Sequence, residues 1–251
     1  ANVDRPYPYG ALWGITHMPD SWPHQDFLVQ VYDGCHLMVG ILPVGRRPGD
    51  PRHLAALFWS LRVRDHAAWR EAGIERWRTQ VLKAWPAAHT FVEQIRTADD
   101  LTFASYADVT LRKRYADRIV FIGDAGRVTS PQLGQGANLA LIDAAVLADC
   151  LREEPSLPVA LEAYTEQRRH HTRFYSYASR WLTPFFQSDS RLAALTRDLT
   201  FPIAGKVPYV RREMVRTLCG MKTGLFTHLD PGQWHPDYAQ AGASALSSQP
   251  A

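Results

Sequence analysis

Apolar and polar residues alternate weakly over residues 9–17, which reads as a strand. A connection carrying Pro19 and Pro23 leads to residues 27–32, rich in Val and aromatics, and Asp33-Gly34 is the strongest hairpin-turn signal in the chain. Residues 35–42 form the returning strand, 43–51 a loop of Pro, Gly and Arg, and 56–63 a further strand. These four strands predict an antiparallel sheet of hairpins. Alternation places Trp13 and Ile15 on one side of their strand, Leu37, Val39 and Ile41 on one side of theirs, and Leu57, Trp59 and Leu61 likewise. Which of these faces lines a pocket is left open by the pattern.

The period then changes to helical. Asp65 is an N-cap candidate for a helix over 66–85, with Trp69, Gly73, Trp77, Val81 and Trp85 at four-residue steps. An aromatic cage is one reading of that stripe; a helix packed on the back of the sheet is the plainer one. Pro86 opens a short helix to residue 95, 101–111 is a strand, and 111–115 is a basic turn. Residues 119–122, an unbroken apolar run, suit a strand buried on both faces. Gly123-Asp124 ends it, placing a carboxylate at the strand's carboxyl edge. A loop with Pro131, Gly134 and Gly136 follows, and from about Ala137 the spacing of Leu139, Ile142, Val146 and Cys150 is helical. Backbone N–H groups and the positive end of the helix dipole point into that loop, where a partly negative ligand atom is favoured.

Beyond Pro155 and Pro158 a long helix covers 159–181, with Leu161, Tyr164, Arg168, His171, Tyr175, Ala178 and Trp181 on one mixed stripe. The run from Arg168 to His171 reads as a solvated face, because successive helical positions point about 100° apart. Residues 184–229 read as helices broken by Pro202 and Pro208, and 239–251 as a disordered tail of small and polar residues.

A net charge of +3 on 251 residues is too slight to argue for nucleic acid. Three cysteines, an odd count without a Cys-x-x-Cys pair, argue against a disulfide framework and for a reducing cytoplasm. The ten histidines show no useful ligand spacing, so no metal site is assigned. No window is apolar enough to span a bilayer, and membrane contact is not expected beyond a brush of the aromatic run near Phe185. The first residues carry neither a signal peptide nor an initiator methionine, so the chain is expected to begin mid-protein.

Residues 118–145 resemble the second FAD-contacting segment of the flavin-dependent aromatic hydroxylases of the p-hydroxybenzoate hydroxylase type. Gly123, Asp124 and Ala125 match that family's Gly-Asp-Ala turn; Pro131, Gly134, Gly136 and Asn138 match its Pro-x-x-Gly-x-Gly-x-Asn loop; Asp143 and Ala144 match an Asp-Ala pair on the following helix. By this resemblance Asp124 hydrogen-bonds the ribityl chain of FAD, and Pro131, the one residue placed next to the chemistry, lines the isoalloxazine pocket. The backbone of Gly134, Gln135, Gly136, Ala137 and Asn138 faces the pyrimidine end. Arg127 departs from the pattern, which usually has histidine there, and its charge meets a phosphate, an acidic substrate or solvent.

The family's Gly-x-Gly-x-x-Gly fingerprint has no counterpart here; Gly134-Gln-Gly136 lacks the third glycine. The resemblance therefore implies an α/β fold in which an antiparallel substrate sheet joins part of a Rossmann-like FAD-binding domain and C-terminal helices. The first nucleotide-binding half is expected in cis or in trans. The expected divisions are 1–111 for the substrate sheet with its helices, 112–182 for the FAD-binding part, 183–238 for a helical segment that closes over the substrate side or packs a homodimer, and 239–251 for the tail. The implied activity is a monooxygenase that hydroxylates a small aromatic substrate with NAD(P)H and O2 through a flavin C4a-hydroperoxide. His17, His36 and Tyr32 are candidate bases, each also readable as structural. Another flavin oxidoreductase of the same fold, or a non-catalytic binding remnant, remains as an alternative.

Overall fold

A computed structural model describes residues 2–111 and 113–229. The described residues divide into two compact units, the first drawn from 2–111, 127–132 and 179–205, the second from 113–126, 133–178 and 206–229.

The first unit is built on strands β1 (Asn2–His17), β2 (Val29–Asp33), β3 (Leu37–Gly45), β4 (Leu54–Arg62) and β5 (Thr102–Thr110). Two short strands, β6 (Tyr115–Ala116) and β7 (Ile119–Val120), pair in the second unit; β8 (Arg127–Val128) returns to the edge of β5. The six-stranded sheet has the order β2-β3-β4-β1-β5-β8 and every pairing is antiparallel. β1 begins well before the expected residue 9. Prolines at 6 and 8 hide this, because the register against β5 shifts between Pro6 and Gly10, and a bulge spares proline a ladder hydrogen bond. The hairpin at Asp33-Gly34 forms, with Gly34 at φ +56° and Asp33 opposite Leu37.

Pairing decides the face that alternation left open. Val39 lies opposite Trp59, Trp59 opposite Leu12, and Ile41 opposite Leu57, so these side chains share one side of the sheet. On that side they bury Trp69, Trp77, Val81, Phe91, Val92 and Ile95 into one core. The indole stripe is thus packing. The single helix expected over 66–85 is two helices, α1 (His66–Ala72) and α2 (Ile74–Ala84), because Gly73 adopts φ +80° and breaks the helix between them. Asp65 makes no side-chain cap bond. Helix α3 (His89–Val92) follows Pro86, and Gln94 then clips the backbone of His17, accepting from its N–H at 2.7 Å and donating to its carbonyl at 2.9 Å.

The second unit holds α4 (Gly136–Glu153), most of α5 (Leu157–Leu182) and α7 (Pro208–Leu218), while α6 (Arg191–Ala204) belongs to the first. Residues 119–122 do not form the expected strand buried on both faces. Only β7 forms, antiparallel to β6; Val120 and Ile122 pack against the buried cluster of Cys150, Ala160 and Tyr164, while Ile119 is 63% exposed. Among the described residues no parallel neighbour is available to cover the other side. Pro202 does not break its helix either: it sits in the last turn of α6, which runs on to Ala204. Pro208 opens α7, where a missing N–H costs nothing. The tail expected over 239–251 lies outside the described residues.

Candidate functional site

In the second unit the Gly-Asp-Ala turn and the start of α4 are packed together. Gly123 sits at φ +53°, and the N–H of Gly126 donates to the Gly123 carbonyl at 3.0 Å, closing one 3₁₀ turn. A Cβ on Gly123 would lie 2.9 Å from the Cβ of Ala140, so both the dihedral and the close approach require glycine. Asp124 is exposed, and its Oδ1 is 4.0 Å from where a Cβ on Gly136 would stand. Asp143 accepts the Gly123 N–H on Oδ2 at 3.0 Å.

The helix start itself is open. Gly134 is at φ +62° with nothing within 4 Å of where its Cβ would be. Gln135 occupies the N-cap position but gives α4 no side-chain cap, and the first turn contains no acidic residue. Its amide is used elsewhere, donating to the Leu133 and Leu218 carbonyls at 3.2 and 2.7 Å and accepting from Asn138 Nδ2 at 2.9 Å. Asn138 Nδ2 also donates to the Cys219 carbonyl at 3.1 Å. Uncapped N–H groups at the positive end of an 18-residue helix are a ready anion site. Asn138 further lines a mostly apolar cavity of about 420 Å³ with Leu141, Ile142, Ala145, Cys219, Gly220, Met221 and Leu229.

Behind the turn lies a buried ion network. Asp143 Oδ1 accepts from Arg168 Nε at 2.6 Å and from Arg114 Nη1 at 3.4 Å. Burial pushes the Arg168 guanidinium below its usual value, against the opposing pull of Asp143. Arg168 also meets His171 Nδ1, and His171 Nε2–H donates to the Gly220 carbonyl at 2.7 Å. The run from Arg168 to His171 is therefore not uniformly solvated: Arg168 and His171 face inward, while Arg169 and His170 are exposed.

In the first unit Pro131 is exposed and follows Ser130, whose buried hydroxyl bonds Ser179 at 2.9 Å and Thr183 at 2.6 Å. Arg127 lies in β8, opposite Thr110. The sheet face away from α1–α3 carries Trp13, Phe58 and Tyr106. The Phe58 ring tilts against Trp13 at 4.7 Å, in space that a Cβ on Gly40 would fill, and Trp13 Nε1–H donates to Tyr106 Oη at 3.1 Å. Of the candidate bases, Tyr32 donates to Gln30, and burial pushes its phenol up to about 12. His17 has a half-buried ring and a backbone committed to Gln94; His36 is on the surface, 3.8 Å from Asp33.

A family model described as an FAD binding domain matches residues 17–175, well over half of the chain. The chain belongs to this FAD-binding family. Kynurenine 3-monooxygenase of Salinispora tropica is 48% identical over 67 residues, which cover 26% of this chain and 15% of that enzyme. Among solved structures, P. aeruginosa PqsL in complex with 2-aminobenzoylacetate matches with a TM-score of 0.61 and 24% identity, over 75% of this chain and 51% of that one. A Klebsiella pneumoniae HpxO variant complexed with FAD matches with a TM-score of 0.67 and 18% identity, over 88% and 55%. This FAD-binding chain thus spans about half the length of the solved relatives it matches.

Two kinds of residue escaped sequence reasoning. Arg114 and Arg168 sit in basic runs that look solvated, and nothing in their spacing announces one shared carboxylate. Asp143 was visible as a motif position, but its contact with Gly123, twenty residues earlier, is a tertiary fact. Among the described residues no three His, Cys, Asp or Glu side chains are grouped to hold a metal ion, and no helix is long and apolar enough to cross a membrane.

Proposed function

We propose that the chain is the substrate-sheet and C-terminal part of an FAD-dependent monooxygenase that hydroxylates an aromatic or other electron-rich small molecule with NAD(P)H and O2. The observation that carries this is the exposed Asp124 carboxylate set beside Gly136 at an uncapped helix start. The donor set fits FAD: a carboxylate free to accept from ribityl hydroxyls, and N–H groups aimed where a reduced flavin is electron-rich. Gly134, with open space where a side chain would be, lets a flat ring approach the backbone. The residues we assign to the cofactor are Gly123, Asp124, Ala125, Pro131, Gly134, Gln135, Gly136, Ala137 and Asn138.

Bound FAD would supply the oxygen-activating redox chemistry. The chain's own part is to hold and orient. Asp124 anchors the ribityl chain, the first N–H groups of α4 stabilise negative charge, and Pro131 contributes a rigid wall. Residues 1–111 form the substrate module in this reading. Trp13 and Phe58 offer a flat surface for an aromatic ring, and Tyr106, whose oxygen already accepts from Trp13, is left to donate its own proton to a substrate oxygen. The partner is the first nucleotide-binding half, in cis or in trans, and a homodimer contact suits α6, which exposes Leu192, Leu195, Leu199 and Ile203 along one stripe. Three free thiols suit the cytoplasm.

Flavin titration tests the reading. The isolated chain binds FAD weakly, and in the protein completed by its first half Asp124→Ala weakens FAD binding by ~10–100-fold. Unchanged affinity in that variant would remove Asp124 from the site and the assignment with it.

A further inference from the structure

The geometry points to Asp143 as a positioning residue that sets the Gly123–Ala125 turn, and through it Asp124, against the start of α4. Its link to flavin rests on the functional reading above; its link to the turn does not.

Three positions of α4 present themselves to the turn at i, i+4 and i+7, which is one helix face. Gly136 leaves room beside Asp124, Ala140 leaves room beside Gly123, and Asp143 receives the Gly123 N–H at 3.0 Å. A larger side chain at 136 or 140 would push the turn away; a different group at 143 would leave the Gly123 N–H unsatisfied. The carboxylate is itself held. Arg168 Nε at 2.6 Å and Arg114 Nη1 at 3.4 Å share its other oxygen, so Oδ2 is kept for the turn. Arg168 is fixed in turn by His171 and by the Leu139 carbonyl at 3.5 Å, and His171 reaches the Gly220 carbonyl. Asp143 is 3% exposed and Arg168 2%. A charge-assisted bond in so dry a place is strong and directional.

The arrangement has a consequence for function. Among the described residues Asp124 makes no side-chain hydrogen bond or ion pair, so its placement is inherited from Gly123. A turn held by one backbone donor on a rigid, fully paired carboxylate is pre-organised; a turn without it samples several orientations of Asp124.

Two double variants separate the acceptor from the ion pair. D143N/R168M keeps an oxygen for Gly123, D143L/R168M has none, and both remove the two charges together so that Arg168 is never buried alone. Each is made in an Arg114→Met background, so that no buried guanidinium competes for the residue-143 oxygen or is left without it. Amide hydrogen exchange is read at Gly123, with Tyr164 and Val39 as references in the same and the other unit. We expect slow Gly123 exchange in the wild-type chain and in D143N/R168M, and ~10–100-fold faster exchange in D143L/R168M with the references unchanged. Flavin titration of the same pair, in the protein completed by its first half, should follow the Gly123 ranking. Equal Gly123 exchange in the two variants overturns the proposal, as does acceleration spread evenly over the second unit. Should D143L/R168M fail to fold, a Gly123 amide that exchanges freely in the wild type would overturn it alone. A Gly123 difference without any FAD binding would keep the positioning role and sink the flavin reading.

Discussion

The two units are stabilised by different means. In the first, a continuous apolar core joins one sheet face to three helices, with Leu12, Val39, Ile41, Leu57, Trp77 and Phe91 all essentially without solvent contact. In the second, the buried apolar cluster is small, Cys150, Ala160 and Tyr164 with partly buried neighbours, and the best-sequestered side chains include Arg168, His171 and Asp143. Area burial is additive and forgiving, so the first unit tolerates rearrangement while it keeps its volume. A buried ion network is specific instead: it holds one geometry and is costly when a single partner is lost. The unit carrying Asp124 and the start of α4, and with them every proposed cofactor residue except Pro131, is the one held by specific contacts, which suits a task that depends on where one carboxylate points.

That contrast can be tested by mutation. The largest effect belongs to the apolar core. Trp77→Ala removes a fully buried indole and should cost about 3–5 kcal/mol in urea unfolding of the first unit, with amide protection at Tyr164 preserved. Loss of protection at Tyr164 as well would mean that the units do not differ in the way described. Next is Gly123→Ala, which forces a side chain into φ +53° and to within 2.9 Å of Ala140. The strain should be about 1–3 kcal/mol, confined to the second unit, and should accelerate exchange at Gly126, whose N–H closes the turn.

The smallest effect is a pH dependence. Burial pushes Tyr32 up to about 12, with Arg197 opposing, and burial with help from Asp189 does the same for Tyr9. A phenol whose folded pKa lies above its unfolded value near 10 makes its full contribution to stability below pH ~10; as pH rises from ~10 toward ~12 the unfolded chain ionises first and that contribution is lost. Tyr32→Phe should therefore flatten the loss of first-unit stability across that window. Denaturant midpoints at pH 9 and 11 would show it, and an unchanged slope would place the alkaline sensitivity elsewhere.

Much of the architecture was legible because local chemistry and tertiary structure agree. The hairpin at Gly34 needs its positive φ, the strands alternate, and the glycine loop leads into α4 where the helical period begins. Disagreements arose where a distant contact decides. A helix over 66–85 was legible except at Gly73, whose freedom to break it shows only once α1 and α2 are packed. The apolar run at 119–122 predicts burial on both faces, but pattern reports only what a strand would accept, and the described residues cover one side of it.

For the candidate site the division is similar. Residue order alone determined that a Gly-Asp-Ala turn precedes a glycine-rich helix start, since backbone freedom and helix polarity are local properties of the chain. Only the tertiary structure decided that Asp143 would spend its charge on Arg168 and its second oxygen on Gly123. It also decided that Trp13 would lie on the opposite sheet face from Trp59. Both outcomes depend on partners many residues away, and cross-strand register and helix packing, which local sequence does not encode, bring those partners together.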